Sequence, residues 1–134
     1  EIAFGRSVAY LMSKPVFAKA PFGHIARSLA GQVNSCHYAF VYRENAIVGF
    51  VGWALANEVL AEAWLNGQRA LSGTEAENGD CVLLNFWQAE TPQVSQFIIV
   101  HMREVLTDVR RIYAKRHYAD GRIRPIRLNL RSKA

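Results

Sequence analysis

Apolar residues recur at helical spacing near the start of the chain, run almost unbroken through its middle and alternate with arginines near its end. Ile2, Val8, Leu11 and Met12 fall on one face of a helix predicted over Ile2 to Ser13. Pro15 stops that helix, because the residue before a proline avoids the helical region. Pro21 suits the first turn of a second helix, Phe22 to Ala30, which Gly31 ends. Cys36 to Tyr42 and Ala46 to Ala54 read as two strands. The polar turn Arg43-Glu44-Asn45 joins them into a hairpin.

Asn57 is placed to cap a short helix over Glu58 to Asn66. Gly67 to Asp80 is polar and turn-rich, a loop by composition. Cys81 to Ala89 is a strand whose near-continuous apolar character predicts burial on both faces. Thr91 caps the next helix, with Pro92 at its first position. Val94, Phe97, Ile98, Met102 and Val105 form its core stripe. Arg110 to His117 is a further strand, and Asp120-Gly121 is a hairpin turn. In Arg122 to Leu130, Ile123, Ile126, Leu128 and Leu130 alternate with arginines. Pro125 makes this an edge strand or a bulge. The order implies a single α/β (α+β) domain over residues 1–134, with a mostly antiparallel central sheet flanked by helices.

A hydrophobic fraction of 51% in 134 residues supports a core and excludes global disorder. No apolar run reaches the roughly 18–20 residues of a membrane helix, and the first residues lack a signal-peptide layout. No membrane partner is expected. Cys36 and Cys81 both fall in predicted strands and read as buried thiols of a cytoplasmic protein, not a disulfide framework. The formal charge of +5 is uneven. Arg110, Arg111, Lys115, Arg116, Arg122, Arg124, Arg127, Arg131 and Lys133 crowd the last part of the chain, opposed there only by Asp120. Such a tail either faces solvent or meets an acidic partner.

The segment Gly79 to Leu106, a buried strand feeding a helix N-terminus, is the best candidate for a ligand cradle. The first amides of its helix can receive a phosphate, with Thr91, Ser95 and Gln96 as added donors. Glu90 closes the strand, where a carboxylate can receive an ammonium group.

Several residues at consistent spacing strengthen this reading. They are Ser13-Lys14-Pro15, Pro21, His37-Tyr38-Ala39, the strand Ile47-Val48-Gly49-Phe50-Val51-Gly52-Trp53-Ala54, Gly79-Asp80, Trp87 and Met102-Arg103. Over roughly residues 5 to 118 the chain resembles the RTX toxin-activating lysine acyltransferases, compact relatives of the GNAT acyltransferases. The resemblance implies a GNAT-like fold, a homodimer, and transfer of a fatty acyl group from an acyl carrier protein or coenzyme A thioester to a lysine of a toxin or peptide. No cofactor is bound permanently; the thioester is a co-substrate. The Gly-rich signature of GNAT coenzyme A sites is absent, which points to a carrier protein. The family's catalytic His falls on Phe17 here, and its catalytic Asp on Phe86, beside Asn85.

Acyl transfer to lysine needs a neutral amine, donors for the developing oxyanion and a positioned thioester. His24 is the replacement base to consider, Asn85 an oxyanion donor and Glu90 a receptor for the lysine. Trp53 and Trp87 would line an acyl channel. Arg103, with Arg110, Arg111, Lys115 and Arg116, would meet an acidic carrier. The alternative is a catalytically inactive relative that binds an acyl carrier or a protein partner. A nucleic-acid module built on the basic hairpin is a third, weaker reading, because its aromatics are only Tyr113 and Tyr118.

Overall fold

A computed structural model describes residues 2–68, 79–117 and 122–129. These residues form helices α1 (Ile2–Met12), α2 (Pro15–Ala18), α3 (Phe22–Asn34), α4 (Glu58–Leu65) and α5 (Pro92–Val105). The strands are β1 (Tyr38–Arg43), β2 (Ala46–Ala56), β3 (Cys81–Ala89), β4 (Arg111–His117) and β5 (Ile123–Asn129). The strands make one open sheet in the order β1-β2-β3-β4-β5. The result is the mixed, mostly antiparallel α/β fold expected from the sequence. The Asp120-Gly121 turn, Leu130 and residues 69–78 lie outside the described residues.

The chain divides into two compact units, Glu1–Gly52 with Phe86–Ile98 and Trp53–Asn85 with Ile99–Ala134. In the first unit, Leu11, Ile25, Leu29, Phe50 and Phe86 form the buried core, with Tyr10, Phe17, Tyr38 and Phe40 packed around it. β1 and β2 pair antiparallel from Tyr38↔Gly52 to Arg43↔Ala46, with a bulge between Val41 and Tyr42. The end of β3 runs beside β2, fixed where the Glu90 N–H donates to the Val48 carbonyl at 2.9 Å.

In the second unit, Ala56, Leu60, Ala61, Leu65, Cys81, Leu83 and Tyr113 make the core, with Trp64 packed against it. The Asn57 side chain caps α4 by accepting from the Leu60 N–H at 2.8 Å. β3 and β4 pair in parallel from Cys81↔Arg111 to Leu84↔Ala114. A parallel pair needs a long crossover, and α5 lies in the connection between these strands. β4 and β5 pair antiparallel from Arg111↔Asn129 to His117↔Ile123, and Pro125 lies on β5, the last strand in the sheet order, as its sequence implies.

Four sequence expectations change. Pro15 does not only end α1; it also starts the one-turn helix α2 as its first residue. α3 continues past Gly31 to Asn34, because Leu29 and Gln32 keep its inner face buried. Cys36 is neither strand nor buried: it is exposed, at φ 61°. There the Cys36 N–H donates to the Val33 carbonyl and the His37 N–H to the Gln32 carbonyl, the paired bonds of a Schellman cap on α3. On α5, Val94, Ile98 and Met102 are buried, whereas Phe97 and Val105 are exposed, because the buried stripe is narrower than the apolar one.

Candidate functional site

In the first unit, the end of β3 meets the turn between α1 and α2. Glu90, one residue past the strand, accepts a hydrogen bond from the Tyr10 hydroxyl at 2.6 Å through Oε2. The same oxygen is ion-paired with the Lys14 ammonium. Lys14 Nζ also lies 4.9 Å from the centre of the Tyr10 ring, a cation–π arrangement. Three side chains thus form a closed triangle of carboxylate, phenol and ammonium. The Lys14 and Tyr10 hydrogen bonds hold the Glu90 carboxyl below its usual titration range. Burial, and then the Glu90 charge, push the Tyr10 phenol well above its usual value, so it stays a donor.

The backbone of this turn is held from both sides. The Lys14 N–H donates to the Leu11 carbonyl at 3.0 Å, and the Lys14 carbonyl accepts from the Ala18 N–H at 2.9 Å. Ser13 Oγ donates to the Tyr10 carbonyl at 2.6 Å. Next along α2, the Phe17 ring packs on Phe86 with centroids 5.8 Å apart. These are the two positions at which the sequence resemblance leads one to expect a catalytic His and a catalytic Asp. The fold brings the two positions together, but as an apolar contact with nothing to titrate.

The other sequence candidates are distributed as follows. His24 is exposed on α3. Among the described residues its side chain makes no hydrogen bond or ion pair with Glu90. Alternation along β3 turns Asn85 and Trp87 to the strand face opposite Phe86. Trp87 is half-buried, and its indole N–H has no hydrogen-bond partner among the described residues. Trp53 is 4% exposed and belongs to the second unit, as do half-buried Asn85 and exposed Arg103.

At the α5 N-terminus, Thr91 Oγ1 accepts from the Val94 N–H at 3.2 Å, and the Thr91 carbonyl accepts from the Ser95 N–H at 3.2 Å. Pro92 has no N–H. Gln93 therefore supplies the one first-turn amide not committed to Thr91, which leaves a slender anion cradle. Ser95 is half-buried and Gln96 exposed.

The basic tail is partly neutralised within the second unit. Arg110 donates to Asp80 at 3.1 Å and to Glu58 at 2.9 Å. Arg127 grips Glu62 through two bonds of 2.9 and 2.7 Å. Arg103 and Arg124 are exposed. Cys81 sits beside Arg110, yet burial and the Asp80 charge push its thiol up to about 11, so it is not a nucleophile at neutral pH. Among the described residues there is no cluster of metal-ligating side chains, and no helix long and apolar enough to cross a membrane.

The sequence alone does not mark Lys14 and Tyr10 as site residues. Their only local signal is the Ser13-Lys14-Pro15 turn; the partner lies far along the chain. No protein-family model and no curated protein matches the chain.

Proposed function

We propose that the chain is a lysine N-acyltransferase, moving a fatty acyl group from an acyl carrier protein or coenzyme A thioester to a lysine of a toxin or peptide. One observation carries this reading: the Glu90 carboxylate at the end of β3 already holds a lysine ammonium, with Tyr10 as its second partner. A substrate lysine presented there would find a carboxylate and an aromatic face.

In the reaction the neutral amine attacks the thioester carbonyl. The new C–N bond forms, the C–S bond breaks, and the carrier thiol leaves. Glu90, a carboxylate of depressed basicity, holds and orients the ammonium; the proton leaves through the solvent that reaches the triangle.

A second reading, a non-catalytic relative that binds an acyl carrier or protein partner, is favoured by the Phe17–Phe86 contact. One experiment separates the two. The protein is incubated with acyl-carrier thioester and a lysine peptide, and peptide mass is followed. A mass gain equal to the acyl group, lost in Glu90→Gln, supports the transferase. No gain, with carrier binding intact, replaces it with the binding protein.

A further inference from the structure

We propose that Lys14 is a built-in occupant of an ammonium-recognition site formed by the Glu90 carboxylate and the Tyr10 ring and hydroxyl, and that an external primary ammonium binds only when the Lys14 side chain leaves. The proposal rests on the reading of Glu90 as the lysine-receiving group, and it adds that the site is closed by the chain's own lysine.

The geometry supports this in three ways. The Lys14 ammonium touches Glu90 and faces the Tyr10 ring, so it satisfies both elements that would recognise a ligand ammonium. The Lys14 backbone is anchored on both sides, and α2 is pinned where Phe17 packs on Phe86. Release therefore needs only side-chain rotation about a four-carbon stem, not refolding of the turn. Finally, the Lys14 side chain is 21% and the Glu90 side chain 36% exposed, so the pair opens to solvent. A pair in that position is stabilised only modestly, which leaves it displaceable.

The test uses n-butylammonium chloride as the probe and the ¹³C signal of the Glu90 side-chain carboxyl as the readout, without thioester. Lys14→Met keeps the apolar stem and removes the charge; Lys14→Gln carries the same expectation should Lys14→Met fail to fold. In either variant n-butylammonium should shift the Glu90 signal and lower its titration midpoint, binding about fivefold or more tightly than in the wild type. Lys14→Arg keeps an occupant and should behave like the wild type. Glu90→Gln combined with Lys14→Met, followed through the ¹³C signals of the Tyr10 ring that faces the ammonium, should show no n-butylammonium response. Equal binding in wild type and Lys14→Met, or a response that sodium chloride reproduces, would overturn the proposal. Because no acyl donor is present, a failed transfer assay leaves this result standing, and a failed titration leaves the transfer assay standing.

Discussion

Phe17 and Phe86, far apart in sequence, pack ring on ring with their planes tilted by 35°. Phe86 is 4% exposed and belongs to the first unit's core, whereas Phe17 lies at its edge. Phe86→Ala should therefore cost about 3–5 kcal/mol, the usual range for a buried phenylalanine. Phe17→Ala should cost less, because water already reaches part of the ring. The double variant should fall short of the sum by about 0.5–1.5 kcal/mol, the coupling expected of an aromatic pair. Urea denaturation of the four proteins measures this; additive costs would show that the rings are neighbours without interaction.

The elements with a strong period were legible in the sequence. β3 is a continuous apolar run, β4 and β5 alternate, and α5 repeats at helical spacing. Features set by backbone bonding or by distant partners were not. α3 and α4 end in the same Schellman cap, and Gly67 at φ 74° announces one of them. Cys36 occupies the equivalent place on α3, where no composition rule expects it. At the candidate site, Glu90 could be named from its place after a strand. Its occupants could not, because a pairing between an early turn and a distant strand end leaves no mark in local spacing.

Cys36 gives a direct test of that cap. Its φ of 61° is a left-handed conformation that side chains resist, and its thiol is exposed, so little packing is at stake. Cys36→Gly should raise stability by about 0.5–1 kcal/mol, the strain relieved less the entropy glycine brings to the unfolded chain. Thermal melts of the two proteins under reducing conditions are sufficient. A loss of stability would mean that the cysteine side chain contributes contacts which outweigh its backbone strain.

The Glu62–Arg127 pair sets an acid limit for the second unit. Two hydrogen bonds from Arg127 lower the Glu62 carboxyl to about 2 from an ordinary value of 4.5. A depressed carboxylate favours the folded state above its unfolded pKa, and that contribution is lost as pH falls through its folded pKa. The melting temperature of the wild type should exceed that of Glu62→Gln at pH 7. The gap should shrink below about pH 4.5 and vanish near pH 2. Both side chains are partly exposed, so added salt should narrow the gap at pH 7 as well. A gap independent of pH would assign the effect to packing.

Gly79, at the entry to β3, has a backbone conformation and a close approach that suit only glycine. Its φ of 142° is one that side chains rarely adopt. A Cβ there would also run into the backbone of Ala56 and stand 2.6 Å from the Asn57 N atom. Both neighbours are fixed: Ala56 ends β2, and Asn57 caps α4. Neither can give way as the tip of a flexible side chain would. Gly79→Ala should therefore lose about 3 kcal/mol or more, combining backbone strain with displacement of the cap. Gly31 is the matched control. It lies within α3 with nothing within 4 Å of a built Cβ, so Gly31→Ala should gain about 0.5–1 kcal/mol from helix propensity alone. Chemical denaturation of both variants against the wild type tests the pair. If Gly79→Ala is as stable as the wild type, the strand entry must be able to rebuild without its glycine, and the close approach of Gly79 to Ala56 is not a constraint on the fold.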